Sequence, residues 1–282
     1  MHSQKIHNKK LILPVLIFLA GCLALAAVLY HSYRTNLKHM RAVTELNATT
    51  YAERLQNDMN RGVAITDTLE EIVLSENGKI DNFQKVAGNL MTDFVQSIQI
   101  APNGVVTDIY PEAGNEAGKI DLIHDESRGE ICRYGRDKNI VTMQGPFDLK
   151  QGGRGIAIRN PVYLECPDGT SAFWGFTIVI IRIPEVFEKS VQSLTQFGYD
   201  YCLTKTVSPL SDDTEVVSAS GNILKEPITF EFEFCGSTFG LEVMPTDGWN
   251  HGWNILPQLV FGICIILLLT GLTVIVLVVE RH

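Results

Sequence analysis

The sequence predicts an α+β protein in which two transmembrane helices flank a long stalk helix and two successive antiparallel-sheet subdomains. Three observations predict it. Two charge-free apolar runs lie near the ends of the 282-residue chain, apolar residues recur at helical spacing after the first run, and strand alternation with turn chemistry dominates the remainder.

The first run, LILPVLIFLAGCLALAAVLY, covers Leu11 to Tyr30, and the second, PQLVFGICIILLLTGLTVIVLVV, covers Pro257 to Val279. Each is long enough to cross ~30 Å of hydrocarbon as a helix. A cleaved leader is the alternative for the first, since Leu19-Ala20-Gly21-Cys22 reads as a lipoprotein processing site. The apolar run continues well past Cys22, however, so an uncut anchor is the simpler reading. Pro14 is tolerable because membrane helices accept proline. Lys5, Lys9 and Lys10 precede the first span and Arg281 follows the second, which predicts cytoplasmic ends (1–10 and 280–282) and an extracytoplasmic segment 31–256; the expected location is a bacterial inner or plasma membrane. Arg34, Lys38 and Arg41 weaken that bias, whereas Trp249 and Trp253 at the outer edge of the second span and Glu280-Arg281 at its inner edge support it.

Beyond the first span, Leu37, Met40, Val43, Tyr51, Leu55, Met59 and Val63 form a stripe at spacings near three and four, predicting a stalk helix to about Leu74, where Glu76-Asn77-Gly78 stops it. Gly62 is its weak point. A second helix is predicted through Phe83, Val86, Leu90 and Phe94, and both stripes serve either as core cover or as a dimer seam. SIQIA, the turn Pro102-Asn103-Gly104 and VVTDIY read as a hairpin. The polar stretch Asp125–Lys138 reads as a short helix. GIAIRNPVYLE and AFWGFTIVIIRI read as an antiparallel pair joined by Cys166-Pro167-Asp168-Gly169. Pro184-Glu185 opens a helix over Val186–Leu194. From Tyr199 a smaller β-rich unit follows: YDYCLT, EVVSAS, the alternation Ile228, Phe230, Phe232, Phe234, a turn at Cys235–Ser237, and TFGLEVMP. These parts divide the chain into a stalk and connecting helices (31–95), a larger unit (96–196) and a smaller one (197–256).

A formal charge of −9 excludes a basic nucleic-acid surface. The seven histidines are scattered, only His124 and His251 falling in the folded outer part beyond the stalk, and the cysteines lack zinc spacing. No nucleophile elbow or kinase signature is present, so neither an enzyme nor a cofactor or metal is expected. Gln151-Gly152-Gly153-Arg154-Gly155 lacks the Gly-Lys-Ser/Thr of a phosphate loop and reads as a hairpin turn. The sequon Asn47-Ala48-Thr49 carries little weight. Cys132, Cys166, Cys202 and Cys235 lie where disulfides are permitted. Of three pairings, Cys132–Cys166 with Cys202–Cys235 keeps each bond inside one unit; buried free thiols are the alternative.

Three stretches in order, IQIAPNGVVTDIYPEAGNEAGKIDL, GPFDLKQGGRGIAIRNPVY and FWGFTIVII, together with the closing LEVMPTDGW, resemble the CHASE domain, the extracytoplasmic sensory module of bacterial cyclases and histidine kinases and of plant cytokinin receptors. The resemblance implies a membrane-emerging helix and two PAS-like subdomains, with a small organic ligand in the membrane-distal one. It also implies a homodimer and a cytoplasmic output domain or partner protein that lies outside this chain, which ends at His282. By offset, Asp121 is the nearest equivalent of the aspartate that grips the ligand in the plant receptors; otherwise it caps a turn. Gln144 matches a pocket threonine, and Gly175 matches a glycine that leaves room for a ring, unless it marks a bulge or close backbone approach. Phe147 joins the candidate set. Arg159 and Asn160 interrupt an apolar run and are pocket polar groups or a solvent-facing edge. Trp174 and Phe176 flank Gly175 on one strand face, as core or ligand platform.

Overall fold

The structure is a computed structural model; it describes residues 2–112, 118, 120–150, 152–250 and 254–280, with side chains from Ile12 onward. Trp253, His251, Arg281 and Gln151, and most of the stretch 113–119, lie outside the described residues. The chain divides into two compact units, Met1–Val43 with Asp247–His282, and Thr44–Thr246.

In the first unit the apolar runs form the start of helix α1 (His2–Ser75) and helix α5 (Ile255–Val279). Both are long and apolar enough to cross a bilayer, and almost none of either apolar stretch is buried against protein. Asn254 accepts the Leu256 N–H at 3.1 Å and caps α5, whose first residue, Ile255, lies two residues before the predicted start. A Cβ at Gly21 would stand 2.9 Å from Ile266, so the missing side chain is what lets the two helices approach there. The Arg41 guanidinium lies 4.9 Å above the Trp249 ring.

In the second unit α1 presents Ala48, Tyr51, Ala52, Leu55, Met59, Ile65, Leu69 and Val73 to the core. Its end is the predicted one: the Gly78 N–H returns to the Val73 carbonyl at 2.8 Å, and Asn77 and Gly78 take φ of 54° and 88°. Gly62 is no weak point. A Cβ there would stand 2.8 Å from Ile158 and 3.0 Å from Ile181, so its absence seats the helix on the sheet. Helix α2 (Phe83–Leu90) adds Phe83 and Ala87, while Phe94 is buried beyond its end.

The first sheet has the order β2-β1-β5-β4-β3, all antiparallel: β1 (Val95–Pro102), β2 (Asp108–Tyr110), β3 (Thr142–Asp148), β4 (Arg154–Glu165) and β5 (Ser171–Ile183). Helix α3 (Gly129–Lys138) precedes β3. The Asn103-Gly104 turn forms, but β1 pairs with β2 only from Ile100↔Asp108 onward; between them Val105 bridges to Asp121. Strand register sorts every residue to one of two faces. Ile98, Met143, Ile156, Ile158, Val179 and Ile181 point to the core that α1 covers. The opposite face carries two cross-strand rows, Ile109–Gln99–Ile178–Arg159–Thr142 and Ser97–Ile180–Ala157–Gln144.

A 3₁₀ turn (Glu185–Phe187) and helix α4 (Glu188–Gln196) lead to the second sheet, of order β7-β6-β9-β8, built from β6 (Tyr199–Thr206), β7 (Thr214–Ala219), β8 (Ile228–Phe234) and β9 (Ser237–Pro245). Its Leu203, Phe239, Leu241 and Val243 belong to the same core cluster as α1 and the first sheet. This gives the mixed helix-and-sheet class the sequence predicts.

The predicted cysteine pairing is not found: Cys132, Cys166, Cys202 and Cys235 are all free thiols. Register explains why. Cys202 stands opposite Glu242 whereas Cys235 precedes Ser237, which leaves roughly 17 Å of strand between them, beyond the Cα separation a disulfide spans. Cys132 is buried with Phe176 near Arg159, and Cys166 lies past the far end of β4, seven residues further on. Burial pushes the Cys132 thiol up, and the Cys235 thiol up to about 12.

Candidate functional site

The face of the first sheet turned away from α1 floors a pocket of about 700 Å³. Because strand residues alternate, polar Ser97 and Gln99 on β1 share this face with Ile178 and Ile180 on β5, while Ile98 and Ile100 go to the core. Ile120, Leu122, Ser127 and Arg128, from the segment leading into α3, line it from one side, and Phe147 to Lys150, from the end of β3, from another. Between β3 and β4 the Leu149 N–H donates to the Gly153 carbonyl at 2.9 Å beside the Asp148↔Arg154 pair, consistent with the hairpin connection expected of this glycine-rich stretch.

Arg159 is the central polar group. It is only 4% exposed, its Nε and Nη1 have no hydrogen-bond partner among the described residues, and burial lowers its pKa from the ordinary arginine value. Asp125, the carboxylate whose charge reaches it, is otherwise engaged. Its Oδ1 accepts from the Ser127 N–H, the Ser127 hydroxyl and the Arg128 N–H at 2.8–2.9 Å, and its Oδ2 lies 3.4 Å from the Arg128 guanidinium. The Ser127 bonds hold the Asp125 carboxyl below the usual carboxylate range. Gln144 donates from Nε2 to the Ser127 carbonyl at 2.9 Å, which ties β3 to the overlying segment and leaves its Oε1 buried without a partner. Thr142, beside Arg159 in the same row, likewise has an unpartnered buried hydroxyl.

Of the residues singled out in the sequence, the structure brings together Gln144, Phe147 and Arg159. The other three lie elsewhere. Asp121 keeps 44% of its side chain exposed and is a turn cap: Oδ1 accepts the Ile123 and His124 N–H groups, and Oδ2 pairs with His124 Nδ1 at 2.8 Å, which lowers the Asp121 pKa. Asn160 follows Arg159 in the chain and so points to the other face, where Nδ2 meets Glu70 Oε2 at 2.6 Å on α1. Gly175 provides close approach, since a Cβ there would run into the Ala101 carbonyl and the Pro102 backbone. The strand irregularity beside it, between Val162 and Tyr163, also separates the two aromatic residues expected on one face. Phe176 lies on the pocket face, in the cluster under α3, whereas Trp174 packs on the main core with Nε1 bonded to the Gly78 carbonyl at 3.0 Å. Sequence reasoning missed Ser97, Gln99 and Arg128. For the first two, the Ser-Ile-Gln-Ile alternation of β1 was the available signal.

The first sheet is thus backed by a long helix on one face and carries, on the other, a pocket with apolar walls and polar atoms that lack partners among the described residues. The chain belongs to the CHASE domain family, whose sequence model matches residues 33–215, and as such it is a sensory module. Among solved structures, an extracellular ligand-binding receptor from Desulfohalobium retbaense DSM5692 is similar in fold, with a TM-score of 0.53 at 13% identity over 71% of this chain. The match spans 39% of that receptor. The ligand-binding domain of an amino-acid chemoreceptor of Pseudomonas aeruginosa PAO1, in complex with GABA, matches with a TM-score of 0.45 at 12% identity, over 73% of this chain and 98% of that one. The periplasmic sensory domain of a Campylobacter jejuni chemoreceptor matches with a TM-score of 0.48 at 14% identity, over 78% and 99%. No curated protein sequence matches the chain.

Proposed function

We propose that the chain senses a small organic molecule outside the cytoplasm, with the ligand held in the pocket on the first sheet. Both ends face the cytoplasm, residues 31–256 lie outside it, and the chain works as a homodimer whose spans, in contact with lipid, relay binding to an output domain or partner beyond this sequence. The single observation that carries the reading is the pocket: apolar walls with a few converging polar groups that lack partners, the composition of a small-molecule site. Ligand binding must differ in strength between two arrangements of the protein to carry a signal. The sheet is suited to this, because its floor strands touch the pocket on one face and α1 on the other.

The test is thermal unfolding of the full chain in lipid nanodiscs against small organic molecules of each charge class. A ligand at 100-fold its Kd stabilises by about 2.7 kcal/mol, which is readily seen. The expected outcome is stabilisation that Ile180→Trp, filling the pocket floor, removes and Asp121→Ala leaves unchanged. Loss of response with Asp121→Ala but not Ile180→Trp moves the site to the exposed turn and defeats the proposal.

A further inference from the structure

Resting on the sensor reading above, we infer that the ligand is a small organic carboxylate, bound through its carboxylate group by Arg159, with Gln144 Oε1 taking a hydrogen-bond donor beside that group. Unmet demand for two opposite kinds of partner on one sheet face carries this. Among the described residues Arg159 Nε and Nη1 have no acceptor and Gln144 Oε1 has no donor, and the two side chains lie on neighbouring rows of adjacent strands.

The need for an anion, rather than any acceptor, follows from charge. A buried guanidinium without a paired counter-charge is strongly unfavourable, and among the described residues no carboxylate forms an ion pair or hydrogen bond with Arg159. Asp125 is committed to Ser127 and Arg128, and Asp148, the one acidic residue in the lining, makes no hydrogen bond to Arg159 among the described residues. A neutral carbonyl would satisfy the N–H groups and leave the charge, whereas a carboxylate meets both. The lining adds Arg128 and Lys150, so the pocket is locally basic in a chain of formal charge −9. Size and walls define the rest of the molecule. The cavity is far larger than a carboxylate group, and Ile109, Ile120, Leu122, Ile178 and Ile180 surround it, so the remainder is a hydrocarbon or aromatic body.

The experiment compares phenylacetate, isovalerate, their 2-hydroxy counterparts and the primary amide of each, by thermal unfolding of the full chain in nanodiscs. We expect the acids to raise Tm, the hydroxy acids to raise it more, and the amides to leave it unchanged. Arg159→Met abolishes the response and Gln144→Leu removes the advantage of the hydroxy acids. A second readout needs no ligand: because no described residue pairs with the buried Arg159 guanidinium, Arg159→Met is expected to raise the Tm of ligand-free protein by about 2–4 °C. Amides as effective as acids, a carboxylate response that survives Arg159→Met, no response to any acid, or a less stable ligand-free Arg159→Met protein each overturns the assignment. Stabilisation by neutral compounds, lost on Ile180→Trp, would remove the carboxylate while leaving the sensor reading intact.

Discussion

The two sheets each bury a cation, and they treat it differently. Lys205 on β6 has no exposed surface, yet its ammonium donates to Glu215 Oε1 at 2.9 Å and to the Thr206 carbonyl at 2.7 Å. Burial lowers its pKa while Glu215 opposes that shift. Arg159 on β4 is almost as deeply buried and has no comparable partner among the described residues. A cation whose partners come from its own sheet is part of the fold; one without them is held ready for a group the fold does not provide. The two faces of the first sheet repeat the contrast. Where α1 covers it, Thr177 donates to the Thr66 carbonyl and Asn160 to Glu70, while on the opposite face Arg159 Nε and Nη1, Gln144 Oε1 and Thr142 Oγ1 lack partners among the described residues.

The sharpest way to break this comparison uses neighbouring residues on opposite faces. Ile181 is fully buried against α1, next to Gly62, whereas Ile180 is half-buried in the pocket floor. Ile181→Ala opens a cavity in close-packed core and is expected to cost about 2–5 kcal/mol in denaturant unfolding. Ile180→Ala enlarges a space that already exists and should cost roughly 1 kcal/mol or less. Equal losses would make the pocket face ordinary core.

The next largest effect tests the two cations. Glu215→Gln leaves the Lys205 ammonium buried without its counter-charge and is expected to destabilise by about 2 kcal/mol, below the figure for a fully buried pair because Glu215 keeps 29% of its side chain exposed. Adding Lys205→Met to that variant should recover most of the loss, since the uncompensated charge is then gone. In a double-mutant cycle, strict additivity of the two changes would show that the pair does not interact and that Lys205 is as unpartnered as Arg159.

Much of the fold is legible in the sequence because it is written in local patterns. Charge-free runs give α1 and α5, Asn77-Gly78 gives the stop of α1, and the alternation of β8 is unmistakable. What is not legible depends on register. Arg159 and Asn160 are adjacent polar residues, and only the pairing of Arg159 with Ile178 decides which of them meets the pocket. Trp174 and Phe176 obey simple alternation in the sequence and violate it in the sheet, because an irregularity beside Gly175 adds a residue. Strand β3 carries both Gln144 and Phe147 but escapes a pattern-based reading: Gly145-Pro146 interrupts it, and it pairs with β4 on either side of that break. Offset from a family motif points to Asp121 as a pocket residue, and offset does not tell which way a turn residue faces.

The smallest expected effect sharpens the satisfied side of the comparison. On α1, burial raises the pKa of Asp67 and of Glu70, with the Asn160 hydrogen bond pulling Glu70 the other way and nearby Asp67 and Glu71 adding to the rise. A carboxyl raised above its unfolded value binds its proton more tightly in the folded protein. Its stabilising contribution is therefore complete below the ordinary values of 3.8 and 4.5 and is lost as pH rises through the folded ones. Carboxyls held low, such as Asp125, act in the opposite direction, so the informative quantity is the difference between wild type and variant. Glu70→Gln keeps an oxygen for the Asn160 amide and removes the titration. Relative to wild type it should gain stability as pH rises above about 4.5, read as a growing shift in denaturant midpoint. Parallel pH profiles would mean that Glu70 is as solvated in the folded chain as in the unfolded one. In that case the Asn160 contact contributes little to seating α1, and packing at Gly62, Ile158 and Ile181 is left to hold that face of the sheet.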